Sequence, residues 1–348
     1  MQNETRSLHN DTFYSGYFPV DKTQELFYIL FESRNNETRD SDPLIIWLRG
    51  EPGCSTTASM FDGMSPLIFG VNETSGQPAL VNNPNSWNNF TNVMYLDQPI
   101  GTGYSFMKYA DTMEGIANNT RLYSIDYAVS DFIHFMKGFL DFHTQFRGRE
   151  MYIVGQDFTG GKYVPDFVQA LQSLKKGEYE DKEFDEAFMA NSTKEWAEWI
   201  NLKGVALNGP MMNEALQRNE TVNYAEKMKL VTSVQSWVMK WPGQWCSEAI
   251  DSNTPWVALA LCSIYDSYST GNPFYPLFNI RNIAEECTGW FDCQTNDPLT
   301  QMAMNQETFV ELFGANLTMN EQQNWIWTDC NKLDGLYISQ SVQLICVY

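Results

Sequence analysis

The chain predicts an α/β fold in which a mostly parallel central sheet is covered by helices on both faces. Three observations carry this: apolar runs of strand length, an amphipathic helix between two of them, and a glycine-rich turn that joins a strand to a helix. Runs at 26–31, 44–48, 93–96, 151–154 and 204–207 read as strands, and those apolar on both sides belong at the sheet centre. Between the third and fourth runs, Ile125, Ala128, Val129, Phe132, Ile133, Met136, Phe139 and Leu140 recur at helical spacing. Ser124 stands where an N-cap would, and Gly148 lies past the end. Strands that alternate with such helices imply parallel pairing, with function at the carboxyl ends of the strands.

The fourth run continues as Gly155-Gln-Asp-Phe-Thr-Gly-Gly-Lys-Tyr-Val-Pro165. A strand, a sharp turn and a helix start in that order form a nucleophile elbow, which holds one side chain above the strand end while small residues let the backbones close up. Gly155, Gly160 and Gly161 supply the small residues. The apex falls among Asp157, Phe158 and Thr159, and no serine is there.

Further on, residues 74–85, with Gly76, Pro78 and Pro84, read as a loop. From about 209 to 282 the strand alternation lapses. A helical segment is predicted over 222–237, with a break at Trp241-Pro-Gly243.

A chain of 348 residues is long enough to bury a substantial core, and one large domain with an insertion fits it best. The formal charge of −21 argues against nucleic acid and anionic lipid as partners, since both need a basic surface. No stretch is long and apolar enough to span a bilayer. There is no His-Glu-x-x-His pattern and no paired Cys-x-x-Cys, so no metal or other cofactor is expected. The three histidines, His9, His134 and His143, read as ordinary surface or core residues. Acceptor sequons for N-linked glycans stand at Asn3, Asn10, Asn36, Asn72, Asn89, Asn118, Asn191, Asn219 and Asn316. With seven cysteines, that density predicts a secreted protein or one in the lumen of the secretory or lysosomal pathway.

Three motifs resemble the serine carboxypeptidase family, a branch of the α/β-hydrolases. Trp47-Leu-Arg-Gly-Glu-Pro-Gly-Cys-Ser55 is similar to its W-L-N-G-G-P-G-C-S. Ser86-Trp87 followed by Leu96-Asp-Gln-Pro-Ile-Gly-Thr-Gly-Tyr-Ser-Phe106 is similar to its S-W and L-D-Q-P-V-G-T-G-F-S-Y. The elbow resembles its G-E-S-Y-A-G-x-Y-V-P with one residue added. Order and spacing match, and the resemblance runs from about Tyr14 to Tyr348.

The resemblance implies an α/β-hydrolase-like fold over 1–348 as one domain, with a helical cap at about 209–282 and the family's C-terminal part, which carries its aspartate and histidine, missing. It implies disulfides Cys54–Cys330, Cys246–Cys262 and Cys287–Cys293, with Cys346 left over. It also implies degenerate chemistry. Aligned forward from Gly155 the serine position is Asp157; aligned backward from Tyr163 it is Phe158. Thr159 is the nearest hydroxyl, but a β-branched residue sits poorly on a strained turn and no base accompanies it. One oxyanion donor of the family falls at Glu51, where a side chain replaces glycine. Losing such a donor costs about 10² to 10³ in rate.

The resemblance further implies that the family's positions for binding the substrate's terminal carboxylate fall at Arg49, Gly50 and Gln156. Arginine can hold a carboxylate with two parallel bonds, or it can pair with an acid nearby. Asp97 reads as a loop-fixing residue.

The expectation is an inactive carboxypeptidase-like glycoprotein that works by structure or interaction, with other protein subunits as partners. Two alternatives stand beside it. One is an active hydrolase using Asp157 or Thr159. The other is a non-cleaving binder of peptide C-termini through Arg49.

Overall fold

A computed structural model describes residues 5–8, 11–50, 53–71, 78–107, 124–179, 196–252, 257, 261–262 and 298–315. These divide into two compact units, one of the residues up to Pro210 with those from Pro298 onward, the other beginning at Met211.

The first unit is built on strands β1 (Thr5–Leu8), β2 (Asp11–Pro19), β3 (Gln24–Phe31), β4 (Leu44–Leu48), β5 (Leu67–Val71), β6 (Pro78–Asn82), β7 (Asn92–Leu96), β8 (Phe106–Met107), β9 (Glu150–Gln156) and β10 (Asn201–Asn208). The main sheet runs β1-β2-β3-β7-β4-β9-β10, with β8 also on β3. From β7 through β4 and β9 to β10 every pairing is parallel, and the strands before that pair antiparallel. All five expected strands form. Those with apolar residues on both sides, β3, β7, β4 and β9, hold the centre because only there are both faces covered.

Alternation along the strands sends side chains to two cores. Phe27, Ile29, Phe31, Trp47, Val93 and Tyr95 face a cluster that includes Met304, Phe309 and Phe313, from helices α6 (Pro298–Met304) and α7 (Glu307–Phe313). On the other face Tyr28 packs edge-on against Phe135 and Phe139 of α1 (Ile125–Phe142). After the elbow come α2 (Asp157–Gly161) and α3 (Tyr163–Lys176). Phe132 of α1 stacks on Phe167 of α3 with centroids 4.2 Å apart. Gly177, left-handed at φ 73°, ends α3.

Three local expectations fail. Ser124 holds the N-cap position of α1 but its side chain makes no capping bond. Residues 78–82, read as loop, form β6 and pair antiparallel with β5. Pro78 is tolerated because it opens the strand, and Ala79, Leu80 and Val81 supply the apolar pairs. In the second unit the helices are α4 (Glu214–Lys227) and α5 (Ser233–Asp251), so the break falls at 228–232, and Pro242 lies inside α5. The reason is a capping box. Gln235 Oε1 accepts from the Thr232 backbone N–H and hydroxyl, and Thr232 Oγ1 accepts from Gln235 N. Lys229, left-handed at φ 60°, turns the chain between the two helices.

The second unit has its own small core of Val222, Ala225, Val231, Met239 and Ala249 around the Cys246–Cys262 disulfide. Cys54 is also disulfide-bonded, while Cys330, Cys287, Cys293 and Cys346 lie outside the described residues. Among the described residues no helix is long and apolar enough to cross a membrane.

Candidate functional site

Parallel register lines up the carboxyl ends of three strands. Leu48 of β4 pairs with Gly155 of β9, and Gln156 pairs with Asn208 of β10, so Arg49, Gln156 and Asn208 stand in one row. The turn after β9 closes tightly against the helix that follows it. A Cβ at Gly155 would come 2.6 Å from Val164 Cγ2 and 2.7 Å from Gly160 Cα, and one at Gly160 would come 2.6 Å from the Gly155 carbonyl oxygen. Both positions need glycine for that approach.

The backbone separates the three apex candidates. Asp157 has φ 55°, and Lys229 is the other non-glycine residue with positive φ among those described. A left-handed conformation costs a residue with a Cβ about 1–3 kcal/mol and persists where the surroundings enforce it, most often at active sites and switches. The half-buried Asp157 carboxylate accepts a bond from Gln156 Nε2 at 3.2 Å, and a Cβ on Gly209, just past β10, would lie 3.9 Å from its Oδ1.

Phe158 is buried and packs edge-on against Tyr163, which makes it core. Thr159 is buried too, and both its backbone N–H (3.1 Å) and its Oγ1 (2.9 Å) donate to the Gly50 carbonyl. That pair of bonds ties the elbow to the turn after β4. The turn itself is fixed by Gly50, left-handed at φ 95°.

Arg49 is mostly covered, and its Nη1 lies 3.6 Å from Asp62 Oδ2. The sequence offers an acidic partner but not this one, since Asp62 follows the 3-10 turn Thr57–Phe61 and only the fold returns it to Arg49. Glu51 lies outside the described residues.

Behind the row, Asp97 follows β7 and is fully buried. Its Oδ1 accepts from the Ser55 hydroxyl (2.8 Å) and the Thr57 N–H (2.9 Å), and its Oδ2 from the Thr57 hydroxyl (2.6 Å) and the Tyr104 N–H (3.1 Å). A Cβ on Gly103 would overlap that carboxylate. Burial pushes the Asp97 carboxyl above the ordinary carboxylate range, against the pull of the bonds from Thr57, Tyr104 and Ser55. The sequence shows Ser55 only as the end of a motif and gives no sign of Thr57; the run of hydroxyls Ser55-Thr-Thr57 is the one signal, and only the fold brings it to Asp97, 40 residues on from Thr57.

His134 and His143 are buried on and just after α1. His143 Nε2 lies 2.7 Å from the Tyr28 hydroxyl, and burial lowers its pKa to about 4. Both belong to the core beneath the sheet, and His9 lies outside the described residues. Among the described residues no group of three or more His, Cys, Asp or Glu could hold a metal ion. The site can present a carboxylate at the apex, a guanidinium in the neighbouring turn and backbone groups between them.

A family profile described as serine carboxypeptidase matches residues 4–339. Serine carboxypeptidase S10 family member 1 of Dictyostelium discoideum is 28% identical over 332 residues, 91% of this chain and 66% of that protein. Serine carboxypeptidase-like 47 of Arabidopsis thaliana is 32% identical over 221 residues, 63% of this chain and 37% of that protein. The chain thus spans 66% or less of the length of these two relatives. The crystal structure of a prohormone-processing carboxypeptidase from Saccharomyces cerevisiae superimposes with a TM-score of 0.71 at 18% identity, covering 95% of this chain and 68% of that one. At that identity the likeness speaks for the α/β-hydrolase fold alone.

Proposed function

This chain belongs to the serine carboxypeptidase family, and we propose that it is a member without peptidase chemistry, a glycoprotein of the cell exterior or a secretory lumen that works by holding other protein subunits. One observation carries the reading: the left-handed residue at the end of β9 is Asp157. A carboxylate stands where acyl transfer needs a hydroxyl and a base to deprotonate it. Thr159 does not replace it, because its hydroxyl is buried and donates to Gly50. Both described histidines lie in the core. The reading in which Arg49 grips peptide C-termini is weakened by its ion pair with Asp62, since a covered guanidinium would have to exchange one acid for another.

The purified protein should release no C-terminal residue from blocked dipeptides, and a serine-directed fluorophosphonate should leave it unlabelled. Labelling on any residue of 155–161 would refute the proposal.

A second reading draws on the same backbone strain. Asp157 could serve as a covalent carboxylate nucleophile, with its Oδ forming an ester to the substrate carbon as the leaving group departs. Water activated elsewhere would then have to hydrolyse that ester. Mass spectrometry of the 150–165 peptide after incubation with alkyl halides distinguishes the two readings, because an alkyl ester on Asp157, formed as halide leaves, belongs only to the second.

A further inference from the structure

At the opposite, amino-terminal ends of β4 and β7 lies a cleft of about 470 Å³ that the elbow does not use. Ile45, Ser86, Trp87, Asn89, Phe90 and Thr91 line it. Two aromatic rings there remain open to solvent, Trp87 at 38% and Phe90 at 74% exposure. Asn89-Phe-Thr91 at its rim is a sequon.

The loop that carries the sequon is firmly anchored. Arg34 holds Asp11 with two bonds, Nε to Oδ1 at 2.7 Å and Nη2 to Oδ2 at 2.8 Å, and its Nη1 donates to Asn89 Oδ1 at 3.1 Å. Asn89 Nδ2 donates to the Pro84 carbonyl at 2.7 Å. Thr91 Oγ1 donates to the Trp87 carbonyl at 3.0 Å, and Trp87 leans edge-on against Trp47. By contrast, the sequon at Asn36 sits exposed in a turn.

We propose that Asn89 carries an N-linked glycan whose first sugar lies in this cleft, its apolar C–H face over Trp87 and Phe90. The argument is one of fit. The amide is fixed at both ends, so the sugar starts with little freedom to lose. It is secondary after glycosylation and keeps one N–H, so bonds to Pro84 and from Arg34 are compatible with the linkage. A volume of about 300–1,000 Å³ with apolar walls and a few polar groups is that of an ordinary small-ligand site, ample for one sugar ring. The seat also covers the two exposed rings, Trp87 and Phe90. The donor is a lipid pyrophosphate-linked oligosaccharide. Asn89 Nδ2 bonds to the anomeric carbon, the bond from that carbon to the pyrophosphate oxygen breaks, and the proton lost from Nδ2 leaves with the lipid pyrophosphate. The inference does not depend on what the elbow does.

The test uses the full chain secreted from a glycosylating eukaryotic host. Glycopeptide mass spectrometry should find Asn89 occupied in the wild type and in Thr91→Ser, which keeps the hydroxyl and the sequon, and bare in Thr91→Ala. Amidase release of the Asn89 glycan should be about tenfold slower from the folded wild type than from the folded Phe90→Ala variant, and equal once both are denatured. Phe90 is at an exposed position, so Phe90→Ala should keep its fold and remove that lag. A bare Asn89 in the wild type, or a lag unchanged by Phe90→Ala, overturns the proposal.

Discussion

Asp97 and Asp157 both follow strands that flank β4 in the sheet, yet their surroundings have little in common. Asp97 is sealed and receives four hydrogen bonds from three residues, and its neighbours are shaped around it. Asp157 is half-buried and sits on a left-handed backbone, with Gln156 Nε2 donating to its carboxylate. The difference separates two jobs that one side chain can do. A satisfied buried carboxylate organises loops, and losing it leaves donors stranded. A carboxylate on a left-handed backbone carries a strain of about 1–3 kcal/mol that the surrounding turn has to enforce.

The comparison can be tested first where it predicts most. Asp97→Ala strands two buried N–H groups and two hydroxyls, and hydrogen bonds to a charged group are worth about 1.5–3 kcal/mol each. Chemical denaturation should show a loss of at least about 3 kcal/mol.

Acid provides the next test, because burial moves Asp97 and the core histidine His143 in opposite senses. Asp97, raised by burial, takes up its proton more readily folded than unfolded, so it adds stability as the pH falls through its folded pKa. His143 binds its proton less well folded than unfolded, with the pKa lowered from 6.5 to about 4. The unfolded chain therefore takes up the extra proton, and stability should decline as pH drops from about 6.5 to about 4, by up to about 3 kcal/mol. Unfolding midpoints across that range check the sign. In His143→Phe the decline should disappear and only the Asp97 contribution, of opposite sign, should remain; a decline unchanged in that variant would mean that His143 is not its source.

Asp157→Gly is the smallest effect and the sharpest. Relief of the left-handed strain outweighs the extra freedom that glycine gives the unfolded chain, so the variant should be neutral or up to about 1 kcal/mol more stable. A loss matching that of Asp97→Ala would erase the distinction between the two aspartates.

Much of this frame was legible in the sequence, because strands buried on both faces and an amphipathic helix leave strong apolar signals. The elbow was legible for the same reason, through the glycines that its close approach requires. Which residue tops it was not. The added residue lets Gly155 and Tyr163 point to different apexes, and only the backbone angle of Asp157 decides between them. Arg49 was recognisable as a cation needing an acid, but Asp62 reaches it through tertiary folding, which leaves no periodic trace. Strand β6 was hidden behind Pro78, and the uninterrupted α5 behind Pro242, since proline reads as a breaker unless its exact place in the element is known. The Thr232–Gln235 box was a signal that could have been used.

Gly103 has no chemistry of its own, yet its missing side chain is the space that the Asp97 carboxylate fills. In a saturation mutagenesis screen scored by secretion, every replacement at 103 should behave like the loss of Asp97, so tolerance at a chemically silent position would report on whether that anchor matters in the cell.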